Sequence, residues 1–136
     1  PMSSYLLPDD REENKAAWAA LHARQECWER RASAATAAGA QALARLLGLA
    51  EIRDSGQIRT VALFLGALWN GRRHFDLYDL RTLDVEISDD MLALLDALRW
   101  GRVSIGDLVP KGDARIQAVL EAWGMYGSGQ NGQAVV

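Results

Sequence analysis

Residues 54–98 read DSGQIRTVALFLGALWNGRRHFDLYDLRTLDVEISDDMLALLDAL and decide the fold class. Apolar residues recur at steps of three and four from Ile58 to Trp69, which is the spacing of one face of an amphipathic helix. Ser55, preceded by an aspartate, is suited to cap the start of this helix, and Gly71 is suited to end it. We therefore predict a helix between these two residues.

The second half of the segment predicts two further helices. Asp76 is interpreted as the cap of a short helix, and Ser88 as the cap of a longer apolar one. Asp89 and Asp90 then lie in a first turn, where the helix dipole favours acidic side chains. The alternation of apolar and polar residues over 85–87 is too short to form a sheet.

A long helix is predicted at the N-terminus, from Pro8 to about Ala38, because this stretch contains no glycine and no internal proline. Gly39 favours a break, after which a separate helix is expected over residues 40–50. A last helix is expected to end at Gly124. The predicted division is a disordered N-terminus with Pro1 as a tag remnant, an N-terminal helical arm, a helical domain and a flexible tail: 1–8, 9–38, 39–124 and 125–136.

The composition agrees with helices throughout. The chain has 136 residues and is 49% hydrophobic, which suffices for one domain with a single core. Alanine and leucine dominate this content, and both favour helices. We expect an all-α bundle of five to six helices with a long N-terminal helical arm and a flexible Gly-rich C-terminal tail. The predicted core is Leu46, Leu47, Ile58, Val61, Ala62, Leu65, Leu68, Trp69, Met91, Leu92, Leu95, Leu98, Ile116, Leu120 and Trp123.

Charge and cysteine content limit the classes of function. The net charge of -3 disfavours sequence-independent nucleic-acid binding, since that relies on an excess of lysine and arginine. Cys27 is the only cysteine, so an intramolecular disulfide and a cysteine-rich zinc site are excluded. The sequence has no signal-peptide pattern and no apolar run of membrane-spanning length, so we expect a cytoplasmic protein without membrane contact.

The sequence contains no convincing catalytic motif. Residues 127–132 match GxGxxG formally, but a dinucleotide loop needs a strand before it and a helix after it. Cys27 has an acid and a tryptophan as neighbours, rather than the cation that activates a thiol. The acids of residues 84–90 lack the spacing of a calcium-binding loop. We predict no enzyme, no cofactor and no metal site.

Acidic residues are concentrated in residues 76–96, where seven acids stand against one base, Arg81. Helix capping accounts for about half of them. The others form either a functional negative surface or a merely solvated one. The predicted partner-binding residues are the acids together with two arginines and a tryptophan: Asp76, Asp79, Asp84, Glu86, Asp89, Asp90, Arg72, Arg73 and Trp100.

Two arginine clusters leave DNA binding as an alternative. The first is Arg72 with Arg73 and the second is Arg99 with Arg102, and guanidinium groups pair well with phosphates. Both clusters follow a predicted helix end, where cations are also favoured for structural reasons alone. Trp100, between the arginines of the second cluster, is the tryptophan expected at a partner surface.

The N-terminal helix carries a narrow seam at alternating three- and four-residue steps, formed by Trp18, Leu21, Gln25, Trp28, Ala32 and Ala35. A seam of this width packs against one partner helix rather than into a deep core. Trp18, Leu21 and Trp28 are therefore predicted to pack against another polypeptide or to cap the bundle as an arm. A homodimer is the simplest way to cover them.

Residues of the middle segment also resemble a known family. They are Asp54-Ser55-Gly56-Gln57, Val61-Ala62, Phe64-Leu65, Trp69-Asn70, Asp76, Asp79-Leu80, Asp84, Ile87 and Asp90-Met91-Leu92. In these positions the chain resembles an uncharacterised family of small helical domains carried on integrative conjugative elements and plasmids of Gram-negative bacteria. The resemblance covers about residues 43–123 and carries over no functional residue. It implies a setting in which small acidic proteins inhibit host defence or assist transfer and maintenance.

We therefore expect a non-enzymatic, protein-binding inhibitor from a mobile genetic element, directed at a bacterial defence complex in the manner of an anti-CRISPR protein. Its acidic residues would engage a basic surface that normally holds nucleic acid, because a dense negative strip imitates phosphates. The alternative is a DNA-binding accessory factor of the mobile element that uses the two arginine clusters. A protein partner is expected, and direct nucleic-acid binding is disfavoured.

Overall fold

The computed structural model describes residues 8–71 and 73–125, with the side chains of 8–10 left aside. Its elements, in chain order, are α1 (Pro8–Ile52), α2 (Gly56–Asn70), the short 3-10 helix η1 (Leu77–Thr82), α3 (Val85–Trp100), the single 3-10 turn η2 (Ile105–Asp107) and α4 (Gly112–Ala122). No strand occurs in these residues. The predicted all-α fold with a long N-terminal helix is therefore confirmed. Most of the predicted tail, residues 126–136, lies outside the described part of the chain.

The chain separates into two compact units with a boundary between Ser33 and Ala34. In the first unit, the described residues belong to α1 alone. The second unit contains the end of α1 and all the other helices, and it holds the hydrophobic core. The proposed boundary between an arm and a domain at residues 38 and 39 remains a prediction.

The predicted helix end at Gly39 is wrong, because α1 continues without a break to Ile52. Gly39 is buried in the second unit, where a Cβ atom on it would lie 2.5 Å from the Cβ of Ala97 in α3. Glycine therefore serves close packing of two helices here rather than a turn. Helix propensity on both sides of a single glycine is sufficient to carry the helix through it.

The helices α1 and α3 run antiparallel in the second unit. Gly39 approaches Ala97, whereas Arg45, six residues further along α1, binds Asp90, which precedes Ala97 in α3. At the other end of α1, Glu51 accepts two hydrogen bonds from Arg115 of α4, at 2.7 and 2.8 Å. These hydrogen bonds from Arg115 lower the pKa of the Glu51 carboxyl and raise that of the Arg115 guanidinium.

The core agrees with the prediction in most positions. Of the predicted residues, the buried ones are Leu46, Leu47, Ile58, Val61, Ala62, Leu65, Leu68, Met91, Ile116 and Leu120. Trp69, Leu95 and Trp123 are half-buried and pack against that core. The buried residues that the predicted core did not include are Ala32, Ala35, Ala42, Leu43, Phe64, Ile87, Leu94, Ala97, Ile105, Val109, Val119 and Met125. Met125, which the predicted division assigned to the tail, is therefore part of the core.

Two predicted core residues are wrong. Leu92 is 55% exposed and Leu98 is 45% exposed. The buried face of α3 consists instead of Ile87, Met91, Leu94 and Ala97. Because α3 offers its neighbours only this one face, the additional leucines on its other side remain in contact with solvent.

The predicted start of α3 at Ser88 is also wrong. The helix begins at Val85 with Asp84 as its cap residue, so residues 85–87 form its first turn. The side chain of Gln57, at the start of α2, accepts a hydrogen bond from the backbone N–H of Asp84 at 2.8 Å. Its amide also donates to the Asp84 carboxylate at 3.4 Å. This contact between α2 and α3 fixes where α3 begins. By contrast, Asp76 caps η1 as predicted, accepting from the backbone N–H of Tyr78 at 2.9 Å.

Candidate partner-binding surface

The acidic segment is divided between two elements. Asp76 and Asp79 belong to η1 and its cap, whereas the other predicted acids lie at the start of α3. The acids at the start of α3 and its cap share one groove of about 800 Å³, whose lining is Arg45, Gly48, Leu49, Ile52, Arg53, Asp84, Glu86, Ile87, Asp89 and Asp90. Asp76 and Asp79 are not part of this lining. The structure therefore brings together four of the six predicted acids.

Two acids of this groove bind side chains of the neighbouring helices. Asp90 accepts hydrogen bonds from Arg45 at 2.8 and 3.1 Å, and its side chain is only 13% exposed. Hydrogen bonding and the charge of Asp90 raise the pKa of the Arg45 guanidinium. Asp84 is engaged by Gln57, as described above. Their main contribution is thus to position α3 against α1 and α2.

Glu86 and Asp89 differ from these two acids. Both side chains belong to exposed residues, and a spacing of three places them on the same side of α3. Within residues 8–71 and 73–125, no hydrogen bond or ion pair engages either carboxylate. They are the acids of this groove that remain available to a partner.

Of the predicted residues outside the acidic set, the described ones, Arg73, Arg99 and Trp100, are not part of the lining of this groove. Arg99 pairs with Asp96 at 2.6 Å, and its guanidinium lies 5.2 Å from the centroid of the Trp100 ring. Trp100 is half-buried rather than fully displayed. Arg73 is also half-buried, and its side chain covers Gly66, where a Cβ atom would lie 3.0 Å from the Arg73 Cδ. Arg72 lies outside the described residues.

Sequence reasoning missed the arginines that border the acids. Arg45 and Arg53 line the groove from α1 and from the residue that follows it, so the groove is of mixed charge. These two arginines precede the acids of the groove by between 31 and 45 positions in the chain, and nothing in a local pattern connects the two sets.

A second, apolar groove of about 210 Å³ was also missed. Its lining is Phe64, Ala67, Leu68, Phe75, Leu77, Leu80, Leu95 and Leu98. Phe64 and Phe75 meet edge to face, with ring centroids 5.3 Å apart, at its base. Leu98, which is 45% exposed, is one of these lining residues.

Neither a metal centre nor a membrane span is indicated in the described ranges 8–71 and 73–125. No three acidic, histidine or cysteine side chains there are grouped so that they could hold a metal ion. No helix in the same ranges is both long and apolar enough to cross a membrane. Cys27 is exposed.

Comparison with known proteins gives a family without an assigned activity. The model of a family of unknown function, DUF7673, matches residues 40–124. Neither a curated protein nor a solved structure matches the chain. The match covers most of the second unit, including α2, both grooves and α4. The chain therefore belongs to the family of unknown function DUF7673.

Proposed function

We propose that this protein is a non-enzymatic, protein-binding inhibitor that presents the acidic start of α3 to a basic surface of its partner. Glu86 and Asp89 are the observation that carries the proposal. They are exposed, lie on one side of the helix and are engaged by no other described side chain. Exposed carboxylates without an internal ion pair attract a basic partner surface. Binding costs them little free energy, because no internal ion pair has to be broken.

The contacts that hold the start of α3 in place favour recognition through Glu86 and Asp89. Arg45 binds Asp90 with three hydrogen-bond contacts, and Gln57 binds the backbone and the side chain of Asp84. Both contacts hold the first two turns of α3, so the exposed carboxylates are carried on a fixed backbone. Preorganised charges of this kind steer association and cost less ordering entropy than charges on a loose segment.

The proposed partner is a nucleic-acid-binding complex of bacterial defence, so the protein would act in the cytoplasm like an anti-CRISPR protein. A basic surface that binds phosphates is complementary to closely spaced carboxylates. The setting on a mobile genetic element of Gram-negative bacteria rests on the resemblance of residues 43–123, and it is part of the proposal.

Charge reversal at the two acids tests the proposal. Glu86→Lys/Asp89→Lys is expected to weaken binding to the captured partner at least about 10-fold, as loss of a close charge pair does. Asp54→Lys/Asp107→Lys is the matched control, because both acids are exposed and the net charge changes equally. The bait is the full chain, incubated with nuclease-treated bacterial lysate. Binding of the recovered partner is then measured in solution, with single-stranded DNA as competitor.

Three results decide between the candidates. Selective weakening by the Glu86→Lys/Asp89→Lys change, together with competition by DNA for the same partner, supports the acidic inhibitor. Equal effects of the two double variants contradict this mechanism. The third result is direct DNA binding by the protein, with an affinity that falls steeply as the salt concentration rises and that is lost in Arg99→Ala/Arg102→Ala. This result supports the DNA-binding accessory factor instead.

A further inference from the structure

The apolar groove of the second unit is open to solvent and has the size of one large side chain. Two of its lining residues are strongly displayed, since Leu77 is 69% exposed and Leu98 is 45% exposed. Its volume of about 210 Å³ is larger than the cavity of about 150 Å³ that holds a benzene ring. It is smaller than the pockets of about 300–1,000 Å³ that are typical of small-molecule ligands. The groove therefore suits an apolar side chain of a protein.

Two acids run alongside this groove on η1. A 3-10 helix has three residues per turn, so residues three apart are aligned along it. Leu77 and Leu80 form one such column and line the groove. Asp76 and Asp79 precede them by one position each and form the neighbouring column, with about 6 Å between them along the axis. A groove bordered in this way favours an apolar side chain that is accompanied by cations.

The acids of this column remain available to such an occupant. Asp76 accepts a hydrogen bond from the backbone N–H of Tyr78 through one carboxylate oxygen only. In the part of the chain that the structure describes, no hydrogen bond or ion pair involves the carboxylate of Asp79. Arg99, the residue after Leu98, pairs with Asp96 at 2.6 Å instead.

The first unit carries a side chain of the required kind. Trp18 is 64% exposed, so it does not fill a groove of its own chain. Arg11 and Lys15 precede it by seven and three positions and share its side of α1. Glu12 and Glu13 lie about 120–140° away around the helix. The side of α1 that presents Trp18 is therefore basic in these turns.

The spacing of the cations matches that of the acids. Arg11 and Lys15 are four residues apart on an α-helix, which separates them by about 6 Å along the axis. Asp76 and Asp79 are separated by about the same distance on η1. Both cations belong to exposed residues, and no ion pair among the described residues engages either of them. Trp18 with its two cations is thus complementary to the apolar groove with its two acids.

We infer that Trp18 occupies the apolar groove of a second copy of this chain, with Lys15 beside Asp79 and Arg11 beside Asp76 of that copy. Each copy has one such helix and one such groove, so reciprocal insertion gives a closed dimer with two identical contacts. From Trp18, α1 continues for about 24 Å before the second unit begins at Ala34. This length leaves room for the helix to cross the groove of the other copy.

Sedimentation equilibrium of the full chain tests the assembly. We expect twice the chain mass of 14.9 kDa. Trp18→Ala should raise the dimer Kd at least about 10-fold, because truncation of a tryptophan that fills a pocket removes a large part of the binding energy. Trp28→Ala is the matched control, since Trp28 is 44% exposed on the same helix. It should change the Kd by less than about 2-fold.

Two exposed leucines of α3 test the location of the contact. Leu98 lines the groove, whereas Leu92, which is 55% exposed, does not. Leu98→Lys should raise the Kd at least about 10-fold, because the ammonium group would lose its water when Trp18 enters. Leu92→Lys should change it by less than about 2-fold. A dimer formed by two α1 helices alone would respond to neither substitution.

Exchange of charges tests the pairing. Lys15→Asp and Asp79→Lys should each raise the Kd about 5-fold, and the double variant should return it to within about 2-fold of the unchanged protein. Arg30→Asp, which changes the charge of an exposed residue of α1 equally, is the control for Lys15→Asp and should have less than about 2-fold effect. Circular dichroism of every variant confirms that its helices are retained.

Four results each overturn the inference. They are a strict monomer, an assembly that grows beyond two copies, equal effects within the tryptophan pair or the leucine pair of variants, and a charge exchange that fails to restore the Kd. The inference is independent of the proposed function, because Glu86 and Asp89 do not line the apolar groove. Glu86→Lys/Asp89→Lys should accordingly leave the mass of the assembly unchanged.

Discussion

Gly39 shows how a single residue is constrained by a helix that lies far away in the chain. A Cβ atom at this position would lie 2.5 Å from that of Ala97. Gly39→Ala should therefore destabilise the protein by about 1 kcal/mol. A steric cost of about 1–3 kcal/mol outweighs the gain of up to about 1 kcal/mol in helix propensity. Urea unfolding followed by circular dichroism measures this change.

The double variant Gly39→Ala/Ala97→Gly is the control for this prediction. It moves the methyl group from α3 to α1 and leaves one Cβ atom at the contact. Its stability should return to within about 0.5 kcal/mol of the unchanged protein, and the two substitutions should be coupled in a double-mutant cycle. A Gly39→Ala protein that is more stable than the original would mean that the two helices are not in close contact there.

At the scale of the helices, the ion pair between Glu51 and Arg115 links α1 to α4 and gives a pH dependence. Arg115 lowers the pKa of the Glu51 carboxyl from its ordinary value of 4.5. A carboxyl whose pKa is lower in the folded protein than in the unfolded chain stabilises the fold at pH values above the pKa of the unfolded chain. This contribution is lost as the pH falls through the pKa of the folded protein. Glu51→Gln should therefore be less stable at pH 7, and the difference should shrink as the pH falls below 4.5 and through the lowered pKa of the folded state.

The size of this effect is limited by solvent. The side chains of Glu51 and Arg115 are 37% and 32% exposed, so the loss at pH 7 should stay below about 1 kcal/mol. Glu26→Gln, a substitution of an exposed residue, is the control and should show no comparable pH-dependent difference. Unfolding curves between pH 3 and 7 provide the comparison. A Glu51→Gln deficit that persists unchanged at pH 3 would contradict the ion-pair explanation.

For the molecule as a whole, the boundary of the core can be tested with two leucines that the sequence does not distinguish. Leu65 is fully buried in α2, whereas Leu92 is 55% exposed on α3. Leu65→Ala should cost about 2–5 kcal/mol through lost burial and a residual cavity. Leu92→Ala, which removes the same atoms from a solvent-facing site, should cost about 0.5 kcal/mol or less. Equal losses in thermal or urea unfolding would show that the exposed side of α3 is wrongly placed.

Local patterns in the sequence determined the helical class and most of the elements. The apolar periodicity of Ile58–Trp69 places the buried face of α2, because periodicity is a property of neighbouring residues. Gly71 and Gly101 end α2 and α3 in the left-handed conformation that glycine favours. The concentration of acids in residues 76–96 was equally visible, since it needs only a count of charges.

Only the tertiary structure decided which of these features serve the fold and which face solvent. The need for glycine at position 39 depends on Ala97, the start of α3 on Gln57, and the pairing of Asp90 on Arg45. The partners in these contacts are separated by between 27 and 58 residues in the chain, so no local window contains both members. The exposure of Leu92 and Leu98 has the same origin. Some helices have more apolar residues than one face can hold. In such a helix the side that becomes buried is the side that its neighbours cover, and tertiary packing determines which side that is.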